Sequence, residues 1–207
     1  MKKFTVTLVV LLGLILIAVW PANAVNIPID LRDFNADPTV SIASDGFSAK
    51  MLEDGSPSAP YPILLSNDPF FGAPGITVPD YLLTLSFNYT FSIGAGNTDN
   101  FYAYVFDGDP FGSGTILRDL DIFASGAGIF EGTVRWDLSA IDPSITILGL
   151  EFQLGSFDSL IDSSLIISNV YLKTAPSPVP EPATIILVAM GLFGFLGLGR
   201  RKILNKG

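Results

Sequence analysis

Carboxylates are the main chemical groups that this 207-residue sequence offers, because it contains no histidine and no cysteine. That absence excludes Ser-His-Asp and Cys-His nucleophilic sites, zinc sites built from imidazole or thiolate, and disulfides. No glycine-rich phosphate loop lies between a predicted strand and a predicted helix, which argues against nucleotide chemistry. The catalytic chemistry that remains is glycoside hydrolysis, in which one carboxylic acid protonates the leaving group and a second carboxylate acts as base or nucleophile.

Three glutamates in the central part of the chain are candidates for that chemistry: Glu53, Glu131 and Glu151. Glu131 and Glu151 each fall on the polar face of a predicted strand. Nothing in their spacing pairs them across a cleft. We therefore keep a surface hydrolase acting on polysaccharide as the alternative function, and expect no catalytic residues.

A second use of carboxylates is calcium binding, since Ca²⁺ takes six to eight oxygen ligands and loops between strands supply them. The aspartates that surround or follow one predicted strand are Asp99, Asp107, Asp109, Asp119 and Asp121. The run 107–109 lacks the other positions of an EF-hand. Ordinary aspartate-rich turns account for the same residues. A structural calcium ion in these loops is a hypothesis, and no other cofactor is expected.

Aromatic residues in a proline-rich loop offer a third kind of chemistry. Tyr61, Phe70 and Phe71 lie in a segment where four prolines discourage strand pairing. Aromatic rings exposed in a loop could stack on a sugar ring. The alternative is that these three side chains close one end of the folded domain.

The elements that must position these residues are predicted to be β-strands. In segment 81–93 apolar residues alternate with mostly polar ones, so Tyr81 and every second residue after it should face a core. In segment 130–138 the same period places Phe130, Val134, Trp136 and Leu138 inward. The predicted strands are 40–43, 47–51, 81–93, 101–106, 115–122, 130–138, 148–154 and 165–172, with 101–106 in a central position because it is apolar on both faces. Glycine, proline, asparagine and aspartate mark the turns between them.

This pattern predicts an all-β fold, an antiparallel β-sandwich of jelly-roll type, for residues 25–174. The segment carries 19 acidic and five basic residues, a net charge of −14. Such a surface repels nucleic acid and anionic lipid. It suits cations or a neutral polysaccharide, although the charge could simply keep an exported protein soluble.

The N-terminus has the three parts of a secretory signal peptide over residues 1–24. Two lysines precede an apolar run of about a dozen residues, and Ala22 and Ala24 occupy the small-residue positions that signal peptidase reads. The apolar run is shorter than the ~20 residues that a spanning helix needs. Cleavage is therefore expected before Val25, and it would place the protein outside the cytoplasm.

The C-terminus carries a second targeting segment. Residues 175–182 form a proline-rich linker that ends in Pro180, Glu181 and Pro182, and residues 183–199 hold no charge. Those seventeen residues would form a helix of about 25 Å, close to the hydrocarbon thickness of a bilayer. The segment 183–207 is thus predicted to span the membrane. Basic residues at its end, Arg200, Arg201 and Lys202, should stay in the cytoplasm.

This tail resembles the PEP-CTERM sorting signal of Gram-negative bacteria. The resemblance rests on Pro180-Glu181-Pro182, the glycine-rich apolar run and the basic cluster that follows it. It implies recognition by an exosortase, a membrane-embedded transpeptidase-like enzyme, in organisms that make extracellular polysaccharide. It implies nothing about residues 25–174, because proteins with this tail differ widely in the rest of the chain.

We therefore predict an exported, non-catalytic surface or matrix protein that could bind carbohydrate. Its expected partners are signal peptidase, an exosortase-like enzyme, the membrane through the C-terminal helix, and an extracellular polysaccharide. The protein should be anchored through its C-terminus with the body outside the cytoplasm, and then released to the surface or matrix if the tail is cut.

Overall fold

A computed structural model describes residues 23–55, 63–69, 72–94, 99–108, 114–123, 126–155 and 160–176. Residues 25–175 form one compact unit. In the described ranges its regular structure consists of strands and short 3₁₀ turns, such as the one at Leu31–Asp33. The prediction of an all-β, antiparallel fold is confirmed.

Sheet A has the strand order β10-β7-β12-β4-β3, and β1 pairs with the free part of β12. Its strands are β1 (Val25–Pro28), β3 (Val40–Ile42), β4 (Ser48–Leu52), β7 (Leu82–Ile93), β10 (Gly128–Asp137) and β12 (Ser164–Thr174). Sheet B has the order β2-β5-β11-β8-β9, and β6 pairs with β11. Its strands are β2 (Asn35–Ala36), β5 (Ile63–Ser66), β6 (Ile76–Thr77), β8 (Asn100–Asp107), β9 (Ile116–Phe123) and β11 (Ile147–Gly155).

The two sheets pack face to face around one hydrophobic core. The ring of Phe87 in β7 meets Phe152 of β11 edge to face, with the ring centroids 5.0 Å apart. Tyr89 and Phe91 in the same strand both lie against Phe101 of β8. Aromatic pairs across the layer hold the sheets together, and each is worth about 0.5–1.5 kcal/mol beyond the area it buries.

All eight predicted strands are present, with boundaries that differ by one or two residues. The four short strands β1, β2, β5 and β6 were not predicted. As expected from its sequence, β8 is an interior strand, paired with β11 on one side and β9 on the other.

The inward-facing assignment at the start of segment 81–93 is wrong. Tyr81 lies outside β7 with a φ of +58° and is 54% exposed, while Leu82 is buried in its place. A register shift at the end of β12 pairs Thr174 with Leu82 and turns that leucine to the core. Phe130 lies on the core face as predicted, opposite Phe91 with the ring centroids 6.4 Å apart. It stays 38% exposed because β10 is at the edge of sheet A in the described part of the chain.

Among the described residues no helix is long and apolar enough to cross a bilayer. The predicted C-terminal helix, residues 183–207, lies outside them, and so do residues 1–22 of the predicted signal peptide.

Candidate functional site

The outer face of sheet B carries two tyrosines because β8 alternates strictly. Phe101, Ala103 and Val105 are fully buried in the core, so Tyr102 and Tyr104 project from the opposite side. Their rings are nearly parallel, with an interplanar angle of 14° and centroids 6.0 Å apart. Phe106 continues the row, 5.7 Å from Tyr104. An aromatic strip thus runs along the middle of the sheet.

Polar side chains from the two neighbouring strands flank this strip. The strand register places Glu151 of β11 and Asp119 of β9 on either side of Tyr104. In the next row Gln153 and Asp121 flank Tyr102. We call the surface formed by these six residues the tyrosine face: Tyr102, Tyr104, Asp119, Asp121, Glu151 and Gln153.

Glu151 is held in place on this face by its neighbours. One carboxylate oxygen accepts a hydrogen bond from Ser66 Oγ at 3.1 Å, and the other accepts one from the Gln153 amide. Only 2% of the residue is exposed. Burial is the main cause that raises the pKa of the Glu151 carboxyl, and the two hydrogen bonds oppose it.

The two tyrosines share this partly desolvated environment. Burial is the largest cause that raises the pKa of both Tyr102 and Tyr104, and the charge of Asp121 adds to it in each case. Asn100 donates a hydrogen bond to the Tyr102 hydroxyl. The phenols therefore stay protonated over the whole physiological range of pH.

The chemistry of the tyrosine face is that of recognition by stacking and hydrogen bonding. The two stacked rings give an apolar surface, while the Gln153 amide and the carboxylates of Asp119 and Asp121 supply donors and acceptors beside it. A hydroxyl-rich ligand with an apolar ring face matches this combination. The carboxylates add negative charge, which disfavours an anionic ligand.

The aspartates that were predicted to hold calcium do not form one site. Asp99 and Asp107 lie at opposite ends of β8, about 26 Å apart at the rise of an extended strand. Asp119 and Asp121 are exposed on the tyrosine face. Asp109 lies outside the described residues. A single ion cannot reach all of these positions.

A different group of carboxylates comes together at one end of the sandwich. Glu53 follows β4, Asp99 precedes β8 and Asp162 precedes β12, and ligand oxygens of the three lie within 4.8 Å of one another. Glu53 Oε2 accepts hydrogen bonds from the backbone N–H groups of Asp162 and Ser163, at 2.9 and 2.7 Å. Ser163 Oγ donates to Asp99 Oδ2 at 2.5 Å. Carboxylate oxygens are the ligands that calcium prefers.

Two other sets of residues were candidates from the sequence: the aromatic residues of the proline-rich loop and the glutamates of the predicted strands. Tyr61, Phe70 and Phe71 lie outside the described residues, so their suggested stacking role stays a prediction. Glu131 belongs to β10 of sheet A and Glu151 to β11 of sheet B. Ala24, the described member of the proposed cleavage site, is exposed immediately before β1.

The sequence reasoning missed the tyrosine face. That segment 101–106 is apolar on both faces correctly predicts an interior strand, but it does not distinguish the tyrosines from core residues. The available signal was the identity of the alternate residues. Tyr102 and Tyr104 share one face of the strand, and a tyrosine keeps a polar hydroxyl that a fully buried position would have to satisfy.

Comparison with known protein families identifies the tail. A model of the PEP-CTERM protein-sorting motif matches residues 178–202, which confirms the resemblance drawn from Pro180 to Lys202. The match covers about an eighth of the chain and carries no information on residues 25–175. No curated protein matches the sequence.

Several solved structures share a general likeness with the sandwich. One is TmCBM61 in complex with β-1,4-galactotriose, 13% identical, covering 69% of this chain and 87% of its own, with a TM-score of 0.40. Another is the N-terminal cellulose-binding domain of Cellulomonas fimi β-1,4-glucanase C. It is 17% identical, covers 75% of this chain and 91% of its own, and has a TM-score of 0.41. A third is CBM28, a carbohydrate-binding module specific for non-crystalline cellulose. It is 11% identical, covers 72% of this chain and 88% of its own, and has a TM-score of 0.41. The likeness is remote, and the ligands belong to those proteins.

Proposed function

We propose that this chain is an exported, non-catalytic surface or matrix protein whose tyrosine face binds an extracellular polysaccharide. The observation that carries the proposal is the parallel pair Tyr102 and Tyr104, bordered on both sides by hydrogen-bonding side chains. Extended sugar chains present successive apolar ring faces with hydroxyls at their edges. A strip of rings with polar borders is complementary to that shape.

The preferred ligand is an uncharged polysaccharide. The tyrosine face combines three carboxylates with no basic residue, and residues 25–174 carry a net charge of −14. A polymer of uronic acids or sulfated sugars would meet repulsion from Asp119 and Asp121. Nucleic acid is an unsuitable partner for the same reason.

The tail supports the cellular part of the proposal. In this account signal peptidase cuts before Val25, and residues 183–207 hold the chain in the membrane while an exosortase-like enzyme cuts near Pro180 to Pro182. The body then reaches the cell surface or matrix. The support consists of the matched sorting motif and the sequence features of the two ends.

A structural calcium ion is a further part of the proposal, and of its ligands only Asp99 was predicted from the sequence. Glu53, Asp99 and Asp162 offer three carboxylates at one point, two of them buried. Gly94 leaves room for the cluster, since a Cβ there would meet Asp162 Oδ2 at 1.9 Å. A cation would relieve the repulsion between these groups and tie the starts of β8 and β12 to the end of β4.

The strand order supports the jelly-roll interpretation of the sandwich. After β4, the principal strands enter the sheets in the order B, A, B, B, A, B, A. In this series, which leaves out the two-residue strand β6, β8 and β9 are the one pair of successive strands in the same sheet. Two nested Greek keys produce this alternation.

One observation favours the alternative, a hydrolase. Glu151, whose pKa is raised by burial, and Asp119 lie on either side of Tyr104, two strand spacings or about 10 Å apart. Carboxylates of inverting glycosidases are separated by about 6.5–9.5 Å. Turnover is measured as new reducing ends on soluble neutral glucans and galactans. Release of sugar by wild type that is lost in Glu151→Gln would establish the hydrolase and refute the non-catalytic proposal.

Binding is tested by affinity electrophoresis of the full chain in gels that contain soluble neutral polysaccharides. At least one of them should retard the wild type. The affinity calculated from the retardation should be about tenfold lower for the double variant Tyr102→Ala/Tyr104→Ala, because each stacked ring is worth about a kcal/mol or more. The control is Tyr81→Ala, which removes an exposed tyrosine elsewhere. Equal retardation of wild type and the double variant would contradict the proposed site.

A further inference from the structure

A concave surface lies on the outer face of sheet A. It is a pocket of about 500 Å³, open to solvent, and it spans β1, the turn before β4, β12, β7 and β10. The residues that matter for its chemistry are Asn26, Phe47, Asn88, Thr133, Asn169 and Tyr171. Its size falls within the ~300–1,000 Å³ typical of small-molecule sites.

The pocket owes its shape to an irregularity in β12. The pairing of β12 with β7 shifts register between Ser168 and Tyr171, and Asn169 within the bulge adopts a φ of +52°. The Asn169 N–H donates to the Phe47 carbonyl at 3.1 Å, and the Ile29 N–H donates to the Val170 carbonyl at 2.9 Å. A bulge of this kind redirects side chains and interrupts pairing. Here it ties the turn before β4 and the end of β1 around the pocket.

The lining is polar but carries no charge. Three asparagines, a threonine and a tyrosine supply amide and hydroxyl groups, and none of the lining residues is acidic or basic. Thr133 Oγ1 donates to Asn88 Oδ1 at 2.8 Å, which leaves the amide N–H groups of Asn88 as donors for a ligand. In a body with a net charge of −14 this is an unusual composition. It fits neither a metal ion nor a phosphate, because both need opposite charge.

An aromatic side chain completes the pocket. Phe47 is 46% exposed although it is a large apolar residue, and Tyr171 lies on the neighbouring strand. A ligand that matches both the uncharged polar lining and the exposed aromatic side chain has an apolar ring face and several hydroxyls but no charge. We propose that this pocket is a second binding site, specific for an uncharged sugar unit.

The position of the pocket affects how many sugar chains one protein can bind. The pocket and the tyrosine face lie on the outer faces of two different sheets, so one chain would hold two sugar chains at once. This cross-linking role rests on the proposed function of the tyrosine face, whereas binding at the pocket does not.

The test is isothermal titration of the full chain with neutral tetrasaccharides of β-1,4-glucan, β-1,4-galactan and β-1,3-glucan, and with tetragalacturonate, each up to about 10 mM. The pocket variant is Phe47→Ala/Asn169→Gly, which removes an exposed ring and a side chain at a position where glycine keeps the positive φ. The control is Ile161→Ala, which removes a large apolar side chain that is also exposed but lies outside both sites. Unchanged melting temperatures show that each variant is folded.

We expect neutral sugar to bind in the Tyr102→Ala/Tyr104→Ala variant and to lose at least tenfold in affinity when the pocket changes are added. If the tyrosine variant abolishes all binding, the pocket inference is wrong and the proposed function stands. If the pocket variant alone abolishes all binding, the proposed function is wrong and the pocket stands. Absence of heat with every neutral probe, or preference for tetragalacturonate, overturns the inference.

Discussion

Glu151 shows how one buried carboxylate shapes the tyrosine face. It lies between Ser66 and Gln153, and both donate hydrogen bonds to it. Its sequence position, on the polar side of β11, suggested exposure to solvent, but 98% of the residue is covered. The polar pattern of a strand predicts which side chains share a face, and it does not predict what covers that face.

This burial makes the stability of the protein depend on pH through Glu151. The folded-state pKa lies above the ordinary value of 4.5, so the folded protein binds more protons than the unfolded chain between the two values. The contribution of Glu151 is therefore most favourable below pH 4.5 and is lost as the pH rises through the folded pKa. Glu151→Gln keeps one acceptor for its neighbours, replaces the other by an N–H donor that the Ser66 hydroxyl can accept, and removes this dependence.

Urea unfolding of both proteins across pH 4 to 8 measures the effect. The free energy of unfolding of wild type relative to Glu151→Gln should fall as the pH rises above 4.5. A constant difference across that range would show that the carboxylate has an ordinary pKa and is accessible to water.

At the scale of single elements, every strand of five or more residues was predictable, whereas of the shorter strands only β3 was. Strand β7 repeats its alternation over a dozen residues, so its core face is evident from Leu85 to Ile93. Strands β2 and β6 have two residues each and form because β5 and β11 lie beside them. No local pattern in two residues can signal a partner that is distant in sequence. The bulge at Asn169 was missed for the same reason.

Strand β10 offers a direct test of its orientation. Trp136 is buried with its ring 5.2 Å from that of Phe87, and Asp137 points to solvent on the other side. Trp136→Ala should lower the free energy of unfolding by about 3–5 kcal/mol, the usual cost of deleting a buried aromatic side chain. Asp137→Ala should cost far less, although it removes hydrogen bonds to Ser139. Equal losses in urea melts would place the strand one residue out of register.

The carboxylate cluster at the end of the sandwich predicts a dependence on calcium. The thermal midpoint should rise when Ca²⁺ replaces EDTA, because an ion bound only by the folded state stabilises it by mass action. Asp162→Asn, the exposed member of the cluster, should lose this rise and still fold. Identical midpoints in Ca²⁺ and EDTA for wild type would show that hydrogen bonds alone hold the cluster.

For the whole molecule, the tail sets a sorting mechanism against simple anchoring. An anchor needs only the apolar run and the basic end, whereas a sorting enzyme must read the segment around Glu181. In the native host, wild type should lose the C-terminal peptide that contains Lys206, and Glu181→Ala should keep it. Intact-protein mass and membrane fractionation measure both. If wild type and variant keep Lys206 and fractionate identically, the tail is an anchor and nothing more.

The most direct test of the central claim locates the ligand on the tyrosine face. NMR spectra of the protein are recorded during titration with the neutral tetrasaccharide of whichever polysaccharide retards it most in affinity gels. The ring signals of Tyr102 and Tyr104 and the backbone signals of Asp119 and Asp121 should shift together and saturate, while those of Tyr81 stay unchanged. Saturable shifts elsewhere that leave Tyr102 and Tyr104 unaffected would contradict the assignment of this face as the carbohydrate-binding site.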